Sequence, residues 1–203
     1  MKPTIDPPNA YPKLDEAVRA HMKRELLLSL PDDKDIWFFG YGSLMWNPGF
    51  EYAERCEALL LGWQRSFCVY SHRYRGTPEK PGLVLGLDKG NSCHGVAFRT
   101  TPAQSHIALE YLWDREMITG VYEPMEVTIE IDGKALPCHT FVADSAHPQY
   151  AGDLSDDKKL SLIQSGQGSA GANRDYLFST VEHLDAMGIE DEALHRLARL
   201  LKG

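Results

Sequence analysis

The spacing of hydrophobic residues changes along the chain and divides it into segments. Between residues 14 and 26 an apolar side chain recurs at every fourth position, which predicts an amphipathic helix that runs towards Leu30 and ends before Pro31. Between residues 36 and 98 short apolar runs are separated by glycine, proline and polar residues, as is typical of β-strands. These strand-like runs cover residues 36–39, 58–61, 67–70, 82–87 and 95–98.

Residues 101–104, Thr-Pro-Ala-Gln, carry the signals of a helix start. They combine an N-cap threonine, a proline at the first helical position and a glutamine at the third. We expect this helix to continue through Leu112. Farther along, Asp132 and Gly133 separate two strand-like runs and predict a hairpin, because both residue types tolerate positive φ.

Beyond residue 152 the pattern becomes helical. Ser155 and Asn173 are predicted N-caps of two helices, Gly188 is a stop signal for the second, and a leucine-rich helix follows it. Strands come first and helices later, without regular alternation of the two. This order predicts an α+β fold whose sheet is largely antiparallel or barrel-like.

Composition and charge exclude several classes of partner. The 203 residues are 43% hydrophobic, which suits one globular domain with a sizeable core. A net charge of -8 gives the chain no overall attraction to a phosphate backbone or an anionic bilayer. No apolar run approaches the roughly 20 residues of a membrane helix. We therefore expect neither a nucleic-acid nor a membrane partner.

The N-terminus and the cysteines indicate where the protein works. Residues 1–13 contain four prolines and no apolar core, so they predict an irregular arm and not a secretory signal. The cysteines are scattered without a CxxC pair, which is typical of buried thiols in a reducing cytosol. They are Cys56, Cys68, Cys93 and Cys138. We therefore expect a cytoplasmic protein.

A turn with two glycines and a serine, residues 40–43, follows the first predicted strand. Glycine lets the backbone approach a ligand closely, and successive N–H groups after a strand can form an anion-binding nest. A local site of this kind would let an acidic protein bind a small anion. The alternative is a simple tight turn with Trp46 packed in the core.

Glu116 occupies an unusual place for a carboxylate. At helical spacing it shares a face with Leu109 and Leu112, and it comes at the predicted end of the helix. An apolar surrounding and the negative end of the helix dipole both raise the pKa of a carboxyl group, and a general base needs such a raised pKa. Alternatively, the helix stops earlier or Glu116 only pairs with Arg115.

Other candidate motifs receive less support. Residues 166–171 match GxGxxG, but they follow a helical segment and not a strand, so we expect a flexible loop before the next helix and no dinucleotide site. A Cys-His pair occurs twice, at residues 93–94 and 138–139. Adjacent strand residues point to opposite faces, so neither pair chelates a zinc ion easily. The GxSxG elbow of serine hydrolases is absent around Ser43 and Ser169.

Four segments, taken in order, resemble the ChaC family of γ-glutamylcyclotransferases. They are Tyr41-Gly42-Ser43-Leu44-Met45-Trp46; Tyr74-Arg75-Gly76-Thr77 followed by Lys80-Pro81-Gly82; Arg115-Glu116; and Gly171-Ala172-Asn173-Arg174-Asp175-Tyr176-Leu177. The resemblance runs from about residue 37 to residue 177. Two positions depart from the family pattern, where Tyr74 replaces a histidine and Asp175 a glutamate.

The resemblance implies a small mixed β-barrel with surrounding helices, and an activity on γ-glutamyl peptides. The implied substrate is chiefly glutathione, and the implied products are 5-oxoproline and Cys-Gly, without a metal or an organic cofactor. Tyr41, Gly42, Ser43, Leu44, Met45 and Trp46 are implied to line the γ-glutamyl pocket, and Glu116 to be the acid/base. The catalytic domain would then be residues 36–203, with residues 1–35 as an N-terminal arm and helix.

The residues suit that chemistry physically. In a γ-glutamyl peptide the α-amine can attack the γ-carbonyl of the same molecule, so no serine or cysteine nucleophile is needed. One carboxylate of raised pKa can take a proton from the amine and return it to the leaving nitrogen. Two alternatives stay open. One is a non-catalytic γ-glutamyl-binding regulatory module, and the other is a serine amidohydrolase that uses Ser43.

Overall fold

The computed structural model describes residues 11–202, so residues 1–10 of the predicted N-terminal arm lie outside it. The helices are α1 (Glu16–Ser29), α2 (Pro102–Glu116), α3 (Asp156–Ser165), α4 (Asn173–Ala186) and α5 (Glu192–Lys202). The strands are β1 (Ile36–Gly40), β2 (Glu54–Ser71), β3 (Gly82–Thr100), β4 (Tyr122–Ile131), β5 (Lys134–Ala143) and the short β6 (Gln167–Gly168) and β7 (Gly171–Ala172). Ser43–Met45 form one turn of 3-10 helix after β1.

Five strands form a closed barrel in the order β1, β3, β2, β4, β5. Strand β1 is antiparallel to β3, with Phe38 opposite Phe98, and parallel to β5, with Phe38 beside His139. The barrel is therefore mixed. The predicted α+β class and the barrel-like sheet are both confirmed.

The chain divides into two compact units, each formed by more than one segment. The barrel unit comprises Lys13–Arg65 and Leu87–Val142. The helical unit comprises residues 11–12, Ser66–Gly86 and 143–202. Strands β2 and β3 begin in one unit and end in the other. Among residues 11–202, no helix combines the length and the apolar composition that crossing a bilayer requires.

Strand β1 serves two apolar clusters of the barrel unit, because successive side chains of a strand point to opposite faces. Phe39 belongs to a cluster with Leu60, Leu87 and Ile129 from neighbouring strands. Phe38 belongs to the cluster that buries one face of α2. The members of the second cluster are Leu30, Ile36, Phe38, Ala108, Leu109, Leu112, Trp113, Met117 and Phe141. This packing fixes the strand that leads into the 41–46 turn and the helix that ends at residue 116.

The predicted apolar face of α1 is only partly used. Its apolar positions at residues 14 and 26 pack against the α2 cluster, but Val18 and Met22 are 47% and 38% exposed. Arg19 and Lys23 turn towards α2 instead, and both pair with Asp114. The predicted helix is therefore confirmed as Glu16–Ser29, although the middle of its apolar face stays partly exposed. Helix α1 is held against α2 by these ion pairs and by the apolar side chains of its last turn.

The strands β2 and β3 are longer than the sequence predicts. Each joins two of the predicted runs, because the strand continues through intervening residues of which only part face solvent, such as Gln64, while others, such as Trp63 and Arg65, are buried. Gly62 lies between the two runs of β2 with φ of 80°, a conformation that glycine adopts without strain.

The local capping and turn signals are confirmed. Helix α2 starts with a capping box, in which the Thr101 N–H donates to Gln104 Oε1 at 3.1 Å. Asp132 and Gly133 connect β4 and β5 with φ of 50° and 74°. In the helical unit Ser155 caps α3, and Gly188 follows α4 with φ of 67°.

Asn173 has a different role from the predicted one. It is the first residue of α4 and not its N-cap, which is Ala172. Its side chain is fully buried and pairs with the backbone of Leu83, where Oδ1 accepts from the N–H at 2.6 Å and Nδ2 donates to the carbonyl at 2.7 Å. The prediction of an Asn173 cap is therefore wrong, because a tertiary partner competes for the side chain.

Tyr11 is anchored within the helical unit. It is 3% exposed, its N–H donates to His72 Nε2 at 3.1 Å, and its hydroxyl donates to the Pro148 carbonyl at 3.0 Å. His72 is buried and its pKa is lowered, first because burial disfavours its cation and second because Arg73 repels that charge. Neutral His72 is the form that can accept the Tyr11 hydrogen bond.

Three of the four cysteines are buried thiols, as predicted, and Cys56 is half-buried. All four are free. Burial raises the pKa of the Cys138 thiol well above its usual range, so this sulfur stays protonated and packs as an apolar group.

Candidate active site

The 41–46 turn contains a row of backbone donors without an acceptor among the described residues. After β1 the chain bends at Gly42 and enters the 3-10 turn, where the Met45 N–H donates to the Gly42 carbonyl at 2.9 Å. Within residues 11–202 the N–H groups of Gly42, Ser43 and Leu44 donate to no acceptor. Three successive amides are thus available to an anionic group of a ligand.

The side chains of this turn face different surroundings. Tyr41 packs partly against the cluster inside the barrel, and Leu44 packs partly against the α2 cluster. Met45 is 1% exposed, while Ser43 and Trp46 are half-buried. The turn is therefore anchored by side chains on both sides, and its backbone between residues 42 and 44 lies between these anchors.

Arg65 supports the turn from within the barrel unit, and we did not single it out from the sequence. It is 4% exposed, and its guanidinium donates to the Tyr41 carbonyl, to the His94 carbonyl at 2.6 Å and to Met45 Sδ at 3.7 Å. A signal was available in β2, where Trp63, Arg65 and Phe67 occupy alternate, inward-facing positions. A cation at a core position of a strand calls for a specific partner.

Glu116 is the last residue of α2, as the sequence indicates. Leu109 and Leu112 of the same face are buried, whereas 24% of the Glu116 side chain is exposed. The pKa of Glu116 is raised, chiefly because surrounding protein removes water from the carboxylate, while the nearby Arg115 charge acts in the opposite direction. A carboxyl group that solvent reaches and that holds its proton more tightly than usual suits acid/base chemistry.

Arg115 connects Glu116 to the turn. Its Nε lies 3.2 Å from Glu116 Oε1, its Nη1 donates to the Asn47 carbonyl at 2.8 Å, and its Nη2 donates to Ser43 Oγ at 2.6 Å. The structure thus brings together the two parts of the barrel unit that the sequence singled out. The sequence left open that Glu116 only pairs with Arg115. In the structure the two side chains do pair, and the pKa of Glu116 is nevertheless raised.

Neither candidate serine has the environment of a nucleophile. Ser43 Oγ contacts the Arg115 guanidinium, which cannot take a proton at ordinary pH. Ser169 donates its hydroxyl proton to the Arg73 carbonyl at 3.0 Å. Without a base within hydrogen-bond reach, a serine hydroxyl stays a weak nucleophile.

The GxGxxG segment, residues 166–171, forms the β6–β7 hairpin and not the expected flexible loop. The hairpin lies along the Arg73–Arg75 backbone, to which the Ser169 and Ala170 N–H groups donate at 2.8 and 2.9 Å. A Cβ on Gly168 would come within 2.6 Å of that backbone. These glycines permit close packing, and the segment has none of the strand–turn–helix geometry of a dinucleotide site.

Two further family-like motifs meet in the helical unit. Arg75 donates from Nη1 to the Ala172 carbonyl at 3.3 Å, and its guanidinium stacks over the Tyr176 ring at 5.1 Å. A Cβ on Gly82 would lie 2.2 Å from the Arg75 carbonyl and 2.6 Å from Asn173 Oδ1. Residues 80–82 and 171–177 therefore fit together through one buried asparagine and a glycine.

A zinc ion bound by the Cys-His pairs at residues 93–94 and 138–139 would need further ligands, and the histidines His72 and His106 have other neighbours. His72 accepts from Tyr11, and His106 lies 3.9 Å from the exposed Asp32. In the described part of the chain, no three His, Cys, Asp or Glu side chains converge closely enough to hold a metal ion.

Comparison with known proteins identifies the family. A family profile described as ChaC-like protein matches residues 36–203. The glutathione-specific γ-glutamylcyclotransferase of Escherichia coli K12 is 39% identical over 180 residues, which cover 88% of this chain and 78% of that protein. The enzyme of the same name from Schizosaccharomyces pombe is 30% identical over 190 residues, which cover 82% of this chain and 91% of that protein.

A solved structure shows the same fold. The crystal structure of a glutathione-specific γ-glutamyl cyclotransferase from yeast superposes with a TM-score of 0.75 at 23% sequence identity, covering 84% of this chain and 96% of that one. This likeness concerns the fold, whereas the profile match over residues 36–203 and the 39% identity to the Escherichia coli protein show the kinship: the chain belongs to the ChaC-like protein family.

Proposed function

We propose that this protein is a glutathione-specific γ-glutamylcyclotransferase that cleaves glutathione to 5-oxoproline and Cys-Gly. The observation that carries the proposal is Glu116, a carboxyl group of raised pKa that Arg115 ties to a turn with three uncommitted amides. The relatives at 30% identity and above that bear this activity in their names support it.

The reaction needs one proton carrier and one oriented substrate. Glu116 takes a proton from the substrate α-ammonium, and the free amine attacks the γ-carbonyl carbon to close a five-membered ring. The bond between that carbon and the cysteinyl nitrogen then breaks, and Glu116 returns the proton to the leaving nitrogen. The ring nitrogen gives up its second proton to the released amine, so 5-oxoproline carries one N–H and Cys-Gly leaves as the ammonium form. Because no covalent bond forms between protein and substrate at any stage, the reaction needs no nucleophilic serine. The lack of a base beside Ser43 and Ser169 is therefore compatible with this reaction.

Substrate orientation supplies much of the rate. Holding the amine against the carbonyl converts a collision into an oriented intramolecular attack, which contributes on the order of 7 kcal/mol or more. We assign this work to residues 41–46. Because the Met45 side chain is 1% exposed, this residue acts through its backbone and its packing.

The turn also explains how an acidic protein binds an anionic substrate. The amides of Gly42, Ser43 and Leu44 offer donors to the α-carboxylate of the glutamyl group or to the oxyanion that develops on its γ-carbonyl. Arg65 and Arg115 add two positive charges within hydrogen-bond distance of this turn. These local donors act despite the net charge of -8.

The proposal is tested by its products. Purified protein incubated with glutathione is expected to release 5-oxoproline and Cys-Gly in equal amounts, detected by mass spectrometry. A panel of other γ-glutamyl peptides and amines measures the specificity. Saturable glutathione binding without product would instead support the non-catalytic binding module, and the absence of both would leave the proposal without basis.

A conservative change at Ser43 separates the cyclotransferase from the serine amidohydrolase. Ser43→Ala removes one acceptor of Arg115 but leaves the backbone amides and the other two Arg115 contacts, so we expect turnover within about ten-fold of wild type, the effect of one typical hydrogen bond of about 1 kcal/mol. A nucleophilic serine would instead lose activity by about a thousand-fold or more. Steady-state assay of product release distinguishes the two, with intact-mass analysis to detect any acylated enzyme.

We place the catalytic domain at residues 36–203 and the protein in the cytoplasm. Four cysteines outside any disulfide bond suit that reducing compartment. Residues before 36 nevertheless contribute to folding, because Leu30 is buried in the α2 cluster and the Leu14 N–H donates to the Ile118 carbonyl at 2.9 Å.

A further inference from the structure

We propose that Arg115 is a positioning residue with two separable tasks, which are to hold the 41–47 turn against the end of α2 and to keep the neighbouring Glu116 in its proton-accepting form. This inference rests on the proposed function. The resemblance to the ChaC family includes the Arg115-Glu116 pair but implies a role for Glu116 alone.

The holding task follows from the geometry of the guanidinium. Three nitrogens of one rigid plane reach three different partners, namely Ser43 Oγ at 2.6 Å, the Asn47 carbonyl at 2.8 Å and Glu116 Oε1 at 3.2 Å. The two turn partners flank the 3-10 turn at its start and just beyond its end. A planar fork fixes direction as well as distance, so the turn has one position relative to the carboxylate.

The second task, keeping Glu116 able to accept a proton, follows from the positive charge of Arg115. Burial raises the pKa of Glu116 and so favours its protonated form, and a protonated carboxyl group cannot accept a proton from the substrate ammonium. Among the residues described, Arg115 is the charged side chain that acts on Glu116, through both its charge and its hydrogen bond. It limits the rise in the pKa without neutralising the effect of burial.

Two substitutions separate these tasks. Arg115→Met keeps the apolar stem but removes charge and donors, whereas Arg115→Lys keeps the charge and cannot reach three partners with one nitrogen. Arg19→Met is the matched control. Arg19 belongs to α1 and contacts the same end of α2, where it binds the Met117 carbonyl at 3.0 Å and Asp114 at 2.7 Å, and none of its hydrogen bonds or ion pairs with described residues is to the turn or to Glu116.

With glutathione as substrate, kcat and KM are measured from pH 5 to pH 9 for wild type and the three variants. For Arg115→Met we expect the acidic limb of the kcat profile to move to higher pH and KM to rise about ten-fold. For Arg115→Lys we expect the acidic limb near that of wild type, with KM still raised. Arg19→Met should change neither quantity. Thermal melts and circular dichroism establish that each variant is folded.

Several outcomes would overturn the inference. One is an Arg115→Met variant whose pH profile and KM equal those of Arg19→Met, and another is a lysine variant that equals wild type in both. If Arg115→Met does not fold, the lysine variant carries the test through its KM alone, and a wild-type KM there contradicts the holding task. Failure of wild-type protein to release product from any γ-glutamyl compound would refute the proposed function instead.

Discussion

Replacing Glu116 by glutamine is expected to lower kcat for glutathione by about 10² to 10⁴-fold, the usual contribution of a general acid/base. Glutamine has nearly the same shape and can still accept the hydrogen bond from Arg115 Nε. It cannot take a proton from the ammonium or return one to the leaving nitrogen. KM should therefore change little while turnover is lost.

The same substitution is expected to make the folded protein more stable, although it removes activity. The pKa of Glu116 is raised in the folded protein above its ordinary value of 4.5, so the fold binds this proton more tightly than the unfolded chain does. Wild-type stability then falls as pH rises above 4.5 towards the folded pKa. Glutamine does not titrate, so the variant should gain in Tm relative to wild type across this window.

Glu110→Gln provides the matched control. It makes the same chemical change on the same helix, α2, at a solvent-exposed position. We expect it to leave kcat and the pH dependence of Tm unchanged. Near wild-type turnover in Glu116→Gln would show that another group carries the proton. A loss of turnover accompanied by a lower Tm than wild type at neutral pH would indicate a structural role.

The position of Glu116 was predictable because the necessary information is local. Helical spacing places it on the face of Leu109 and Leu112, and the capping box at residues 101–104 fixes where that helix begins. Helix starts and two-residue turns follow the same rule, since each depends on residues within a few positions of one another.

The contacts that organise the site were not predictable, since they join distant parts of the chain. Arg115 reaches Ser43 across 72 residues, and Arg65 reaches Tyr41 across 24. Nothing in the spacing of hydrophobic residues indicates which carbonyl or hydroxyl a particular arginine meets. The middle of α1 illustrates the same limit, because the fourfold apolar spacing there does not reveal that Asp114 attracts Arg19.

Asn173 shows how tertiary structure overrides a local preference. As a sequence signal it predicts a cap, because asparagine often accepts from backbone N–H groups at a helix start. Its actual partner, Leu83, lies 90 residues away. The side-chain amide carries its acceptor oxygen and its NH2 group side by side. Oδ1 accepts from the Leu83 N–H and Nδ2 donates to the Leu83 carbonyl, at the start of β3.

Replacing Asn173 by alanine is therefore expected to destabilise the protein by about 2 to 5 kcal/mol, because two buried hydrogen bonds disappear and both polar groups of Leu83 lose their partner. Equilibrium urea unfolding measures this cost. The control is Asn91→Ala, which removes an exposed amide side chain and should cost less than about 0.5 kcal/mol. A cost for Asn173→Ala no larger than that of the control would mean that the pairing contributes nothing to stability.

Asn173→Asp sharpens this prediction through its pH dependence. Aspartate keeps the acceptor for the Leu83 N–H, but its second oxygen faces the Leu83 carbonyl, so only the protonated acid can donate there. Burial and this contact raise its folded pKa above the unfolded value of about 3.9. Its stability relative to wild type should therefore be nearly full at pH 4 and fall as pH rises, until at pH 7.5 it lies below that of Asn173→Ala. A pH-independent difference from wild type between these limits would show that the side chain at residue 173 does not donate to Leu83.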